Sequence, residues 1–221
     1  LEALESSGKT LDKVANVFYN LLGSNTNDEF DALAVKMSPL LSAHNDKILL
    51  NKELFERIKI LKSNEPSLKL SDEQKRLLDE TYKRFQRAGA NLDQEAMIRL
   101  TEINSSLSSL SVQFDQNVLK ETNGYSLIID DPDDLQGLPD EEIRQASLLA
   151  SSEGHDGKWV FKPTRVSMYP FLTYSEKREL RENLYKSYIL RGDNDNDFDN
   201  KEIIKKMVAL RKDCLLYTSD A

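Results

Sequence analysis

The chain has 221 residues, 31% of them charged and 39% apolar, with a formal net charge of −8 at neutral pH. That length can bury the core of one large domain or two small ones, and such a charge content fits a soluble, helix-rich protein. Lys and Arg are spread along the chain, against a nucleic-acid partner; no apolar run approaches the ~20 residues of a membrane span, and the single Cys excludes an internal disulfide framework.

In chain order, Leu11, Val14, Phe18, Leu21 and Leu22 recur every three or four residues and predict one buried stripe of an opening helix. The polar cluster 24–28 ends that helix and supplies a cap for the next, which Pro39 is expected to interrupt. Ile48, Leu54, Phe55, Ile58 and Leu61 predict a further helix, stopped by the run Ser63 to Ser67. Ser71 and Gln74 have capping-box spacing, and the helix behind them is expected to bury Leu78, Tyr82, Phe85 and Ala88 before a C-cap at Gly89. A long helix follows on Leu100, Ile103, Leu107, Leu110 and Phe114, stopping at Asn123-Gly124. Residues 72–123 read as a long antiparallel helical hairpin within an N-terminal helical region, 1–123.

From 124 to 213 the texture is mixed. Short strands are expected around 125–129 and 158–161, where aromatic and β-branched residues gather. Pro139 is placed at the first position of a short helix between them. Helix resumes near Ser175, breaks at Gly192, and starts again near Asn200.

No residue set announces a reaction. His44 and His155 are the two histidines and neither lies in His-Glu-x-x-His, the spacing that puts two imidazoles one helical turn apart on zinc. Cys214 has no neighbouring His, Gly-x-Ser-x-Gly is absent, and the serines between 105 and 111 read as small spacers on the polar face of the long helix. Asp193, Asp195, Asp197 and Asp199 alternate as in a calcium loop, but Phe198 and Ile204 stand where the glycine and the bidentate Glu should be, so the run reads as a solvated loop capping the last helix.

The segment from Phe171 through Arg178-Glu179-Leu180-Arg181-Glu182 to Tyr185, Tyr188 and Arg191-Gly192 resembles zinc metallopeptidases of the thimet oligopeptidase and peptidyl-dipeptidase family. Further blocks resemble the peptidyl-dipeptidase branch in the family's order: Ser38 to Asp46, Leu54 to Ile58, Tyr82 to Phe85, Phe114 to Asn117, Leu135 to Pro139, and Gly157-Lys158-Trp159. The run Lys162 to Ser167 departs from the family pattern, and residues 214–221 read as a non-native tail.

The resemblance implies a mainly α fold, the non-catalytic channel wall of a two-lobed peptidase, whose C-terminal catalytic half is missing. It implies Zn2+ in the complete parent and none bound by this fragment, which is expected to be inactive alone. It also implies short peptides as substrates, with release of C-terminal dipeptides. No catalytic, metal or substrate-binding residue can be carried over. The compartment is read as cytoplasmic, with an exported or periplasmic parent as the alternative. The competing expectation is a freestanding helical interaction module that docks through 72–123.

Overall fold

A computed structural model describes residues 1–218, and these divide into two compact units, Leu1–Gln113 with the chain from Ile203 onward, and Phe114–Glu202. The fold is mainly α with one small antiparallel sheet, as expected. No helix among the described residues is long and apolar enough to cross a membrane.

Unit 1 holds α1 (Glu2–Glu5), α2 (Lys9–Ser24), α3 (Asp28–Leu49), α4 (Lys52–Ser63), α5 (Asp72–Arg87) and the first part of α6 (Gln94–Gly124). Local chemistry sets the boundaries. Asn27 caps α3 by accepting the Phe30 N–H at 2.9 Å, and Asn51 caps α4 through the Leu54 N–H at 2.9 Å. Ser71 and Gln74 form the expected reciprocal capping box on α5. At the other end of α5 the Ala90 N–H reaches the Phe85 carbonyl at 3.1 Å and the Gly89 N–H reaches that of Gln86 at 3.0 Å, the paired closure of a Schellman turn.

The core of unit 1 joins Leu49, Phe55, Ile58, Leu78, Phe85 and Ala90, so the apolar face of α5 is met by α4. The Phe55 ring stacks on two rings of α5, Tyr82 at 5.7 Å and Phe85 at 6.0 Å. Tyr82 and Ala88, expected inside, are only half-buried.

Two expectations need correction. The opening stripe forms on α2 but is not buried: Leu11, Val14 and Leu21 are 40%, 63% and 40% exposed. Only Ala15, Phe18 and Leu22 are half-buried, with the Phe18 ring stacked 5.3 Å from Phe30 of α3. Pro39 does not interrupt its helix. α3 runs through it because Ala34 and Ser38 before it and Asp46 and Leu49 after it are buried, and tertiary burial outweighs the one lost backbone bond. Among the serines of α6, read as small spacers on its polar face, Ser108 is one set between helices. Ser108 meets Ser38 of α3, whose Oγ also donates to the Ser108 carbonyl at 3.1 Å, so small residues here let two helices approach closely.

Unit 2 carries the end of α6, β1 (Leu127–Ile129), α7 (Asp140–Ser152), β2 (Trp159–Phe161), α8 (Arg165–Tyr174), α9 (Arg178–Ile189) and the first two residues of α10 (Lys201–Thr218). The strands pair antiparallel with Leu127 opposite Phe161 and Ile129 opposite Trp159. Leu127 and Ile129 turn inward onto Leu135, Leu138, Ala146, Phe161, Met168, Phe171 and Leu184. Pro139 is the N-cap of α7, one residue earlier than expected, and Asp140, Glu141 and Glu142 fill the first turn. Helix α8 has no counterpart in the sequence reading. Pro170 inside it masks the helical pattern, and the burial of Met168 and Phe171 holds it together.

Candidate functional site

A densely bonded part of unit 2 is the loop between α9 and α10. Gly192 opens it with φ +79°, a left-handed conformation that suits a residue without Cβ. A Cβ there would also meet the Asn200 amide nitrogen at 2.9 Å. The Gly192 N–H donates to the Glu121 carboxylate on α6. The side-chain amides of Asn194 and Asn196 donate to the same group at 2.9 and 2.6 Å. Burial pushes the Glu121 carboxyl up, but those three bonds outweigh it and leave the group below its ordinary range.

The far end of the loop is anchored through Asn200, which is buried. Its Oδ1 accepts from Asn117 at 2.9 Å, its Nδ2 donates to the Phe114 carbonyl at 3.2 Å, and its backbone N–H returns to Gly192 at 2.8 Å.

The alternating acidic run has an internal counter-ion. Lys201 Nζ lies 2.8 Å from Asp193, 2.7 Å from Asp195 and 2.8 Å from Asp199, which hold its ammonium well above the ordinary lysine range. A single ammonium therefore collects three of the four carboxylates whose spacing suggested a cation loop. The sequence assigns this role to neither Lys201 nor Glu121, although Lys201 lies in the family-like run Asp199 to Ile203. The only signal was the surplus of Asp and Asn over 193–200, which must find donors somewhere.

The family-like segment 171–192 is built into the same unit. The Arg191 guanidinium sits 4.0 Å over the Tyr188 ring and donates to the Tyr188 carbonyl at 2.8 Å and to Thr122 Oγ1 at 3.0 Å. Arg165 of α8 bonds the Tyr188 phenol and, with Arg191, holds it below its ordinary range. At the other end of α9, Lys177 N–H donates to the Ser175 Oγ at 3.2 Å, and Arg181 donates to the Ser175 carbonyl. The conspicuous residues of that segment serve as fasteners between α6, α8 and α9.

Beside the loop lies a cleft of about 510 Å3, walled by the end of α6, by α9 and by the loop itself. Lys120, Tyr125, Asn183, Lys186, Ser187, Leu190 and Phe198 face it, with Glu121, Asn194 and Asn196 on the loop side. The Tyr125 phenol bonds Ser187, and burial raises it.

Unit 1 presents a different polar feature. Asn104 of α6 donates to Asp46 Oδ1 of α3 at 2.9 Å, while Asp46 Oδ2 is buried without a hydrogen-bond partner. Burial raises this carboxyl, with the Asn104 bond acting in the opposite direction.

His44 is an exposed residue of α3 and His155 follows the C-terminal turn of α7, each in a different unit. Cys214 lies on α10 outside any disulfide. Among the described residues no group of three or more His, Cys, Asp or Glu side chains is placed to hold a metal ion. The donors present do not fit the zinc that the family resemblance implies, and no chemical step can be drawn through them.

No family model matches the chain. Its curated relatives are peptidases. The Dipeptidyl carboxypeptidase of Salmonella typhimurium is 34% identical over 212 residues, 96% of this chain and 31% of that protein. That of Escherichia coli is 32% identical over 209 residues, 95% of this chain and 31% of that protein. Oligopeptidase A of Haemophilus influenzae is 32% identical over 177 residues, 78% of this chain and 26% of that protein. The chain is thus a peptidase homologue by class. Its particular kin are the dipeptidyl carboxypeptidases and oligopeptidases A, as the sequence blocks implied, and it spans about a third of the length of the curated relatives it matches.

Proposed function

We propose that this chain is the N-terminal part of a zinc-dependent peptidyl-dipeptidase or oligopeptidase acting on short peptides, and that by itself it hydrolyses nothing. The observation that carries this reading is the 34% identity along 96% of the chain to a Dipeptidyl carboxypeptidase of which it covers 31%. The helical fold agrees with a part that shapes a substrate channel. The apolar face left on α2 and α3 agrees with a missing half.

In this reading the fragment's contribution is steric. Helices and the fastened loop of unit 2 would wall a passage that admits unfolded peptides and excludes folded proteins. Residues 214–221 are proposed to be foreign to the parent.

The test compares two proteins on a blocked tripeptide with a free C-terminus. One is the 221-residue chain, and the other continues through the native reading frame downstream of codon 213. The longer protein should release a dipeptide and lose that activity to a chelator, whereas the short chain should not act with or without added zinc. Hydrolysis by the short chain, or a downstream frame without His-Glu-x-x-His, would overturn the reading.

A further inference from the structure

We propose that the cleft of unit 2 is a subsite for the C-terminal end of a short peptide, with the terminal carboxylate on Lys120 and the last amide group on Asn183. The inference rests on the reading of the parent as a peptidase of short peptides. At about 510 Å3 the cleft has the size of a small-ligand site. Its loop wall is already built, since the bonds to Glu121 and Asn200 fix residues 192–200 without any ligand.

The polar groups of the lining are unequally engaged. Glu121 accepts from three donors, and Lys186 is paired with Glu182 at 2.6 Å. Among the described residues the side chains of Lys120 and Asn183 have no hydrogen-bond or ion-pair partner. An unengaged ammonium suits a carboxylate, while a free carboxamide offers both a donor and an acceptor, the complement of a peptide group. Leu190 and Phe198 add apolar wall for a side chain. A C-terminal peptide residue presents these three chemistries together. A simple anion presents only the first.

The experiment titrates the isotope-labelled 221-residue chain with N-acetyl-alanyl-alanine, with its C-terminal amide, and with sodium acetate, following backbone and Asn side-chain amide signals by NMR. The free acid should shift signals of 183, 194 and 196 saturably, and the amide should bind about tenfold more weakly for want of the charged contact. Lys120→Met should abolish the preference for acid over amide, and Asn183→Ala should weaken both ligands alike, with the thermal melt of each variant unchanged. Shifts elsewhere, equal binding of acid and amide, acetate acting as well as the peptide, or Lys120→Met behaving like the parent would each overturn the proposal. Hydrolysis by the longer protein without binding here sinks the cleft alone. Binding here beside a longer protein that hydrolyses nothing sinks the peptidase reading alone.

Discussion

The two units close their cores in different ways. In unit 2 two strands and three helices converge on one cluster; in the adjoining loop Lys201 pairs with Asp193, Asp195 and Asp199, and N–H groups of the loop satisfy Glu121 of α6. Unit 1 has a core on α3, α4 and α5, yet α2 has no buried residue, and Val14, Val17 and Leu21 stay exposed beside Leu33 and Leu40 of α3. Apolar surface and polar satisfaction are thus unevenly shared within one chain. Unit 2 also exposes Leu148, Val166 and Ile189, but its elements share one core, whereas α2 of unit 1 leaves an apolar stripe in water.

The strongest way to break this contrast is through the unit 2 core. Phe171 is fully buried with its ring 4.6 Å from that of Phe161, so Phe171→Ala should cost about 3–5 kcal/mol. The single Trp, Trp159 of β2, reports on that cluster by fluorescence during urea unfolding. A midpoint that stays in place would show that the cluster is not what stabilises unit 2. Gly137→Ala should cost about 2 kcal/mol on the same readout. Gly137 has φ +88°, and a Cβ there would lie 2.2 Å from the Tyr174 carbonyl oxygen.

Two carboxyls sharpen the contrast through pH, with opposite signs. Asp46 in unit 1 is raised by burial, so its contribution is complete below its unfolded pKa of about 3.9 and is lost as pH rises through the folded value. Asp46→Asn should therefore flatten the decline of helical stability toward neutral pH, measured by circular dichroism melts, and be the more stable form there. Glu121 in unit 2 is depressed, so its contribution is present above an unfolded pKa of about 4.3 and is lost as pH falls through the folded value. Glu121→Gln should cost about 1 kcal/mol at neutral pH and remove part of the acid-side slope of the Trp159 signal. Parallel slopes for the two variants would contradict the assignment.

The smallest effect is expected on α2. Val17 is 61% exposed, so Val17→Glu should change stability by no more than about 0.5 kcal/mol while reducing self-association in sedimentation velocity. A loss well beyond that would mean the face is already covered.

Much of the fold is legible in the sequence where local chemistry acts alone. The capping box at Ser71, the turn at Gly89, the stop at Gly124 and the two strands all follow from residue type and spacing. Failures arise where tertiary contacts decide. Periodicity announces which side of α2 is apolar but not whether anything covers it, and Pro39 marks a break that burial on both flanks overrides. Helix α8 was hidden because Pro170 and the aromatic and β-branched residues around it resemble a loop or strand, and only the packing of Met168 and Phe171 reveals it. The candidate site was less legible still. Glu121 and Asn117 are 71 and 83 residues distant from the Gly192 and Asn200 they hold, and no local pattern links them.

The three carboxylates around Lys201 also have a chemical consequence. An amine acylates only through its neutral form, and this one keeps its proton to higher pH than an ordinary lysine. Surface mapping with an acylating reagent at about pH 9 should therefore leave Lys201 unlabelled while an ordinary surface lysine reacts. Opening the loop would bring Lys201 into the labelled set, making its reactivity a mass-spectrometric gauge of whether the α9–α10 connection is closed.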